Sequence, residues 1–182
     1  RGPHIMKGYW NKPADTAEVI DREGWFYTGD IGHLDEDGHV VITDRKKNLL
    51  VLANGKNVAP AAIENKLKSS PLIAEVIALG DGQKSVTALI VPDFEALRAL
   101  AKEKGVRAET NQELVAADEA SRAVAAEIKR LSGDFADFEK VRKFRLLDHE
   151  LTVDGGELTP TLKVKRAVVL ERYADLVRSM AE

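Results

Sequence analysis

Gly155-Gly156-Glu157-Leu158-Thr159-Pro160-Thr161-Leu162-Lys163-Val164-Lys165-Arg166 is the stretch on which the reading of this chain turns. A Gly pair that bends readily runs into Pro160, and Lys163 follows just before a segment with helical apolar spacing. The pattern places a flexible ammonium on a loop at a helix start. A Lys in that position suits an anionic substrate whose charge grows during reaction. The plainer reading is a solvated basic patch leading into a helix.

Two further stretches bear on the choice. In Glu23-Gly24-Trp25-Phe26-Tyr27-Thr28-Gly29-Asp30-Ile31-Gly32, Gly29 permits a tight turn and Asp30 follows an aromatic run of strand type. A carboxylate there can accept two hydroxyl hydrogen bonds at once, which suits a ribose diol; on its own, Asp30 could simply cap a turn. In Asp44-Arg45-Lys46-Lys47-Asn48-Leu49-Leu50-Val51-Leu52-Ala53-Asn54-Gly55-Lys56-Asn57-Val58-Ala59-Pro60, an Asn-Gly pair separates two short apolar runs, a hairpin signal, and Pro60 suits a first helical position.

Taken in this order, the three stretches resemble the adenylate-forming, or acyl-activating, enzymes, in the form of the AMP-forming long-chain fatty acyl-CoA synthetases. The resemblance covers essentially the whole chain. It implies that Lys163 is the Lys that bridges the substrate carboxylate and the α-phosphate of ATP. Lys165 competes for that role, but the family's pattern puts an Arg three residues after the catalytic Lys, and Arg166 fits Lys163. Asp30 matches the Asp that holds the ribose hydroxyls of ATP and AMP, and Arg45 the Arg that contacts the nucleotide. Lys47 matches the hinge, and the backbone near Gly55 the lining of the coenzyme A tunnel. Two departures stand out. Thr161-Leu162 precede Lys163 where shorter-chain relatives carry Ser-Gly, and the loop 53–57 is longer than usual by a residue. Both resemble the long-chain branch, and the second leaves the match of Gly55 open by about one position.

The implied function is a two-step ligase. A fatty acid is activated with ATP and Mg²⁺ to acyl-adenylate, and a rotation of the small domain then brings coenzyme A to it. The family's phosphate-binding loop and most of its acyl pocket lie upstream of the residues present. The missing N-terminal domain is therefore an expected partner, and this chain alone is expected to be inactive. Two alternatives stay open: an acyl-AMP ligase domain serving a carrier protein, and a non-catalytic interaction module. Gly2-Pro3-His4-Ile5-Met6 could be a cloning remnant, but Arg1-Gly2-Pro3 followed by Met6-Lys7-Gly8-Tyr9-Trp10 resembles the family's own segment and is read as native.

Composition narrows the rest. The chain has 182 residues, 44% hydrophobic and 31% charged, with a net charge of −3. Nothing in that balance argues for nucleic acid or a membrane surface as partner. There is no Cys, so disulfides, thiolate nucleophiles and Cys-ligated metals are excluded. The four His, at positions 4, 33, 39 and 149, lack metal-ligand spacing, and no metal site is expected. No apolar run reaches the roughly 18–20 residues that a membrane span needs. A cytoplasmic setting fits, with peripheral membrane association left open for an intact enzyme.

The fold expected is α+β. Residues 1–43 are read as the last β segment of a large N-terminal domain, 44–47 as a hinge linker and 48–182 as a mobile small domain. Within these, a hairpin over 29–43 turns at Asp35-Glu36-Asp37-Gly38. Helices start at Pro60 and after Asp93; strands cover 73–79, 86–91 and 141–147. One long helix opens at a Thr110/Glu113 capping box and carries Leu114, Ala117, Ser121, Val124, Ile128 and Leu131. A single last helix presents Leu170, Tyr173, Ala174, Val177 and Met180. Trp10, Trp25, Phe26 and Val41 lack an obvious cover in the arm 1–43, which is expected to be mobile or to associate with a second copy.

Overall fold

The computed structural model describes residues 1–181. Two compact units divide it, Arg1–Asn48 and Leu49–Glu182.

The first unit opens with a helix, α1 (Pro13–Val19), where the sequence suggested only β segments. Pro13 sits in the first turn, where its missing N–H costs nothing. Thr16 then ties the helix down: its hydroxyl accepts from Tyr9 N–H at 2.9 Å and donates to the Lys12 carbonyl at 2.8 Å. Strands β1 (Asp30–Leu34) and β2 (Val40–Arg45) form an antiparallel hairpin. Its tip is the expected Asp-Gly turn, in which the Asp35 carboxylate accepts from the Asp37 and His39 amides. The register slips between Ile31 and Gly32, and a Cβ at Gly32 would collide with the Val41 carbonyl. β2 runs on through Asp44 and Arg45, which the sequence placed in the linker; they pair with Ile31 and Asp30. A 3₁₀ turn, Lys46–Asn48, ends the unit.

The second unit starts with a small hairpin, β3 (Leu50–Val51) and β4 (Asn57–Val58), followed by α2 (Pro60–Leu67). Its centre is a three-stranded sheet in the order β5–β6–β7, formed by β5 (Ile73–Leu79), β6 (Val86–Pro92) and β7 (Val141–Leu146). β5 and β6 are antiparallel, whereas β7 joins β6 in parallel after three helices have intervened. These are α3 (Phe94–Glu103), α4 (Asn111–Ala116) and α5 (Asp118–Leu131).

Alternation along the strands assigns side chains to two cores. Val76, Ala78, Ala88 and Ile90 join Ile63 and Leu67 of α2 and Val124, Ile128 and Leu131 of α5. Ile77, Leu79, Leu89 and Val91 join residues of α6 (Arg166–Arg172) and α7 (Ala174–Ala181), including Val169, Tyr173 and Met180. With both faces covered, β6 reads as an unbroken apolar run and is buried throughout. This is the α+β architecture expected.

Two expected helices are broken. The capping box forms as read, with Thr110 and Glu113 each capping the other's backbone, but the helix halts at Ala117, whose backbone is extended at φ −70°, ψ 135°. The break lets Leu114 enter a third cluster with Leu97, Ala101 and Ala120, while Val124 and Ile128 serve the sheet. The last helix likewise breaks at Tyr173, φ −104°, ψ 27°. The phase therefore shifts: Val169 is buried, and Leu170, expected on the apolar face, is 39% exposed.

Candidate functional site

The Lys163 stretch is a hairpin rather than an open loop. Leu158 and Val164 bridge, and the Thr159 amide donates to the Lys163 carbonyl at 2.8 Å. Leu162 N–H closes a turn onto the Thr159 carbonyl at 2.8 Å, with Pro160 as its second residue. Lys163 N–H returns to the Thr159 hydroxyl at 3.0 Å. A three-residue hairpin loop of this kind wants a left-handed residue just before the second strand, a place that favours Gly. Here Leu162 holds it, at φ 59°. A left-handed non-Gly residue costs about 1–2 kcal/mol, and the Leu162 side chain is 68% exposed, so burial of that side chain does not offset it. The Ser-Gly of shorter-chain relatives was the sequence signal for this conformation.

The Lys163 side chain is exposed, and among the described residues no carboxylate lies within ion-pair distance of its ammonium. Lys165, the competitor, gives its backbone amide to the Glu157 carbonyl at 2.7 Å at the root of the hairpin. Arg166 has a task the sequence did not reveal. Its guanidinium donates to the Ala78 carbonyl of β5 and pairs with Glu64 of α2 at 2.6 Å, which fixes the start of α6.

The root of the hairpin rests on a buried carboxylate. Glu157 is 2% exposed. It accepts from the Tyr173 hydroxyl at 2.6 Å, from Thr152 N–H at 3.1 Å and from Arg172 at 2.8 Å. Burial pushes the carboxyl up, but the three donors outweigh it and hold Glu157 below the usual carboxylate range. Burial, reinforced by the bond to Glu157, pushes the Tyr173 phenol up to about 12. Sequence reading had placed Tyr173 in a core stripe only; a Tyr whose helix turns toward a nearby Glu was the available signal.

Gly55 lies at the tip of the β3–β4 hairpin at φ 78°, with its amide on the Leu52 carbonyl at 2.8 Å. Asn54 stabilises the tip by accepting from Lys56 N–H at 3.0 Å. The hairpin is docked on the loop after β5: Val51 N–H meets the Asp81 carboxylate, and Ala53 N–H the Gln83 carbonyl. Lys56 packs its ammonium 4.2 Å from the Phe138 ring.

In the first unit, Asp30 and Arg45 face each other across β1–β2 and form an ion pair of 2.8 Å. The structure brings these two sequence candidates together. The contact joins Arg45 Nε to Asp30 Oδ1. Lys47 lies in the 3₁₀ turn just before the boundary between the two units.

Residues 47–182 match the family described as "AMP-binding enzyme C-terminal domain". The chain belongs to this family. Among its relatives, the long-chain-fatty-acid–CoA ligase FadD15 of Mycobacterium tuberculosis is 40% identical over 181 residues, covering 99% of this chain and 30% of the ligase. The long-chain-fatty-acid–CoA ligase 1 of Cavia porcellus is 38% identical over 169 residues, 91% of this chain and 24% of the ligase. In structure, the chain is similar to the A domain of the carboxylic acid reductase from Segniliparus rugosus, solved with AMP and a co-purified carboxylic acid. There the TM-score is 0.79 and the identity 26%, over 98% of this chain and 27% of that one. The chain thus spans less than a third of the length of these relatives. The family is adenylate-forming, and the matched part is its C-terminal domain. Among the described residues no helix is long and apolar enough to cross a membrane.

Proposed function

We propose that this chain is the C-terminal part of an AMP-forming long-chain fatty acyl-CoA synthetase, with Lys163 as the cation of its first half-reaction. The observation that carries the reading is the Lys163 hairpin: an ammonium without a carboxylate partner among the described residues, presented on a backbone held by its own turn. The ligase relatives, 40% identical in the case of FadD15, support a long-chain fatty acid as the substrate class.

In the first step a carboxylate oxygen bonds to the α-phosphorus of ATP, and the bond to the β-phosphate oxygen breaks, releasing pyrophosphate. Both reactants are anions. Lys163 between them lowers the repulsion and meets the charge that builds in the transition state. The Asp30 carboxylate accepts the ribose hydroxyls, and Arg45 orients that carboxylate while facing the nucleotide. No group of three His, Asp or Glu suited to a metal occurs among the described residues. In this reading Mg²⁺ would come with the phosphates of ATP and screen their charge.

In the second step residues 48–182 rotate about Lys47, in the turn Lys46–Asn48, relative to the β1–β2 hairpin and the large domain to which it belongs. Lys163 withdraws and the Gly55 hairpin takes its place beside the pantetheine arm of coenzyme A. The thiol sulfur bonds to the acyl carbon, AMP leaves with the electron pair of the acyl–phosphate bond, and the thiol proton is lost. This is a hinge-type closure. A second reading, favoured by the likeness to the reductase A domain, sends the acyl-adenylate to a different acceptor.

Half-reactions of the full-length enzyme test this. Lys163→Ala is expected to slow pyrophosphate release by roughly 10²–10³ and to spare thioester formation from supplied acyl-adenylate. Lys47→Pro fixes φ and removes an N–H, so the opposite asymmetry is expected. Equal damage to both steps by either variant overturns its assigned role. Turnover that needs no coenzyme A selects the second reading.

A further inference from the structure

The Lys163 hairpin hangs from a peptide whose side chain points the other way, into the protein. Glu157 carries the root of the hairpin through its carbonyl, which accepts from Lys165 N–H at 2.7 Å. Its carboxylate is meanwhile the end point of donors from two directions. Thr152 comes from the irregular leg that enters the turn before the hairpin, and Arg172 and Tyr173 from the junction of α6 and α7. Arg172 also grips the incoming leg directly, donating to the Gly155 carbonyl at 2.6 Å. The Tyr173 ring sits in the apolar cluster on the sheet, among Leu79, Leu89 and Val169. A continuous line of contacts therefore runs from the sheet through the Tyr173 ring and hydroxyl to Glu157, then to the backbone of Lys165 and the hairpin bearing Lys163.

The hydrogen-bond roles along this line are set by chemistry. An ionised carboxylate only accepts, so the single proton of the Tyr173 hydroxyl goes to Glu157. His149 Nε2 lies 2.7 Å from the Tyr173 hydroxyl oxygen. A carboxylate buried at this depth is costly unless every acceptor site is used. Joining two chain segments would not by itself require a charge. Converging charge-assisted bonds do supply stiffness and direction, and a displacement of about 1 Å at a reacting group can cost 10²-fold in rate.

We propose that Glu157 and Tyr173 are positioning residues for Lys163: the pair locks the hairpin root to the sheet and so sets where the ammonium stands during adenylate formation. The proposal rests on the reading of Lys163 given above. The low-lying Glu157 carboxyl agrees with it, since the charged form is the one that the donors hold.

Two experiments decide it. In this 182-residue chain, Tyr173→Phe keeps the buried ring and removes only the hydroxyl. Hydrogen–deuterium exchange at the Lys163 and Lys165 amides is expected to rise about tenfold, as for loss of one charge-assisted hydrogen bond, with the β5–β6 amides unchanged. Unchanged exchange in the hairpin overturns the proposal, as does a uniform rise across the sheet. In the full-length enzyme, the same substitution is expected to lower kcat for adenylation about tenfold through misplacement, with KM for ATP little changed and thioester formation from acyl-adenylate spared. In a Lys163→Ala background it should cost nothing more, because it acts through that ammonium; a further loss there overturns the proposal. Full adenylation by Lys163→Ala alone would instead refute the functional reading, while the exchange result still decides the lock. Glu157→Gln, of the same shape without the charge, repeats both tests independently of the Tyr.

Discussion

β2 and β6 are both apolar strands, yet their surroundings are opposite. β6, Val86–Pro92, is buried at every residue between α2 and α5 on one face and α6 and α7 on the other. In the β1–β2 hairpin, Val40 is 69% exposed, Ile42 59% and Leu34 67%. Trp10, at 89%, Trp25 and Tyr27 extend this uncovered apolar surface in the same unit, as the sequence reading expected for Trp10, Trp25 and Val41, whereas Phe26, expected to be uncovered too, is half-buried. An apolar run states a demand for cover; it does not say where the cover lies. For the second unit the cover is within the unit. For the first, in the proposed reading, it comes from the large domain that the longer relatives contain.

The contrast can be broken in several ways. The largest effect is expected in association. At rising concentration the chain should bury its hairpin face against a second copy, and light scattering should show the mass increase. The triple substitution Leu34→Ser, Val40→Thr, Ile42→Thr should return it to the mass of a monomer; a parent chain that stays monomeric at all concentrations refutes this. Next come paired truncations. Leu89→Ala, in the covered sheet, should cost about 2–5 kcal/mol in denaturant unfolding. Val40→Ala should stay within about 0.5 kcal/mol. Similar costs would mean that β2 is covered after all.

A smaller effect concerns acid. The Arg130 guanidinium, with help from the Ser70 hydroxyl, holds Glu127 of α5 down at about 2, against an ordinary value of 4.5. A depressed folded-state value adds stability above the ordinary value, and that part is lost as pH falls from 4.5 toward 2. Glu157 shifts in the same direction. Melting temperatures between pH 7 and pH 3 should therefore fall less steeply for Glu127→Gln than for the parent. An unchanged slope would remove Glu127 from the account. The smallest effect is at Leu162. Leu162→Gly relieves a left-handed Leu but frees the unfolded chain, so a net gain of less than about 1 kcal/mol is expected by calorimetry. A clear loss would show that the exposed Leu side chain makes a stabilising contact.

Local chemistry was the legible part of this protein. The Thr110/Glu113 capping box, the Asp93 cap on α3, the Asp-Gly turn at 35–38 and the Asn-Gly tip at Gly55 each follow from a few neighbouring residues. The facing of Asp30 and Arg45 was not legible, because the sequence ended the hairpin at residue 43 whereas β2 runs on to Arg45. The helix at Pro13–Val19 escaped because it is short and held by one threonine rather than by an apolar stripe.

What the sequence by itself determined is the strands of the central sheet, the caps and turns between elements, and the motif that puts Lys163 before α6. Tertiary structure alone decided the breaks at Ala117 and Tyr173. A regular stripe cannot show that its two halves serve different clusters. It also decided that Arg166 reaches Glu64, 102 positions away, and that Glu157 turns inward to Tyr173. Propensities, caps and turns act over a few residues and can be read in order along a chain. A buried charge is tolerable only where its donors converge, and that convergence exists only once distant segments have packed.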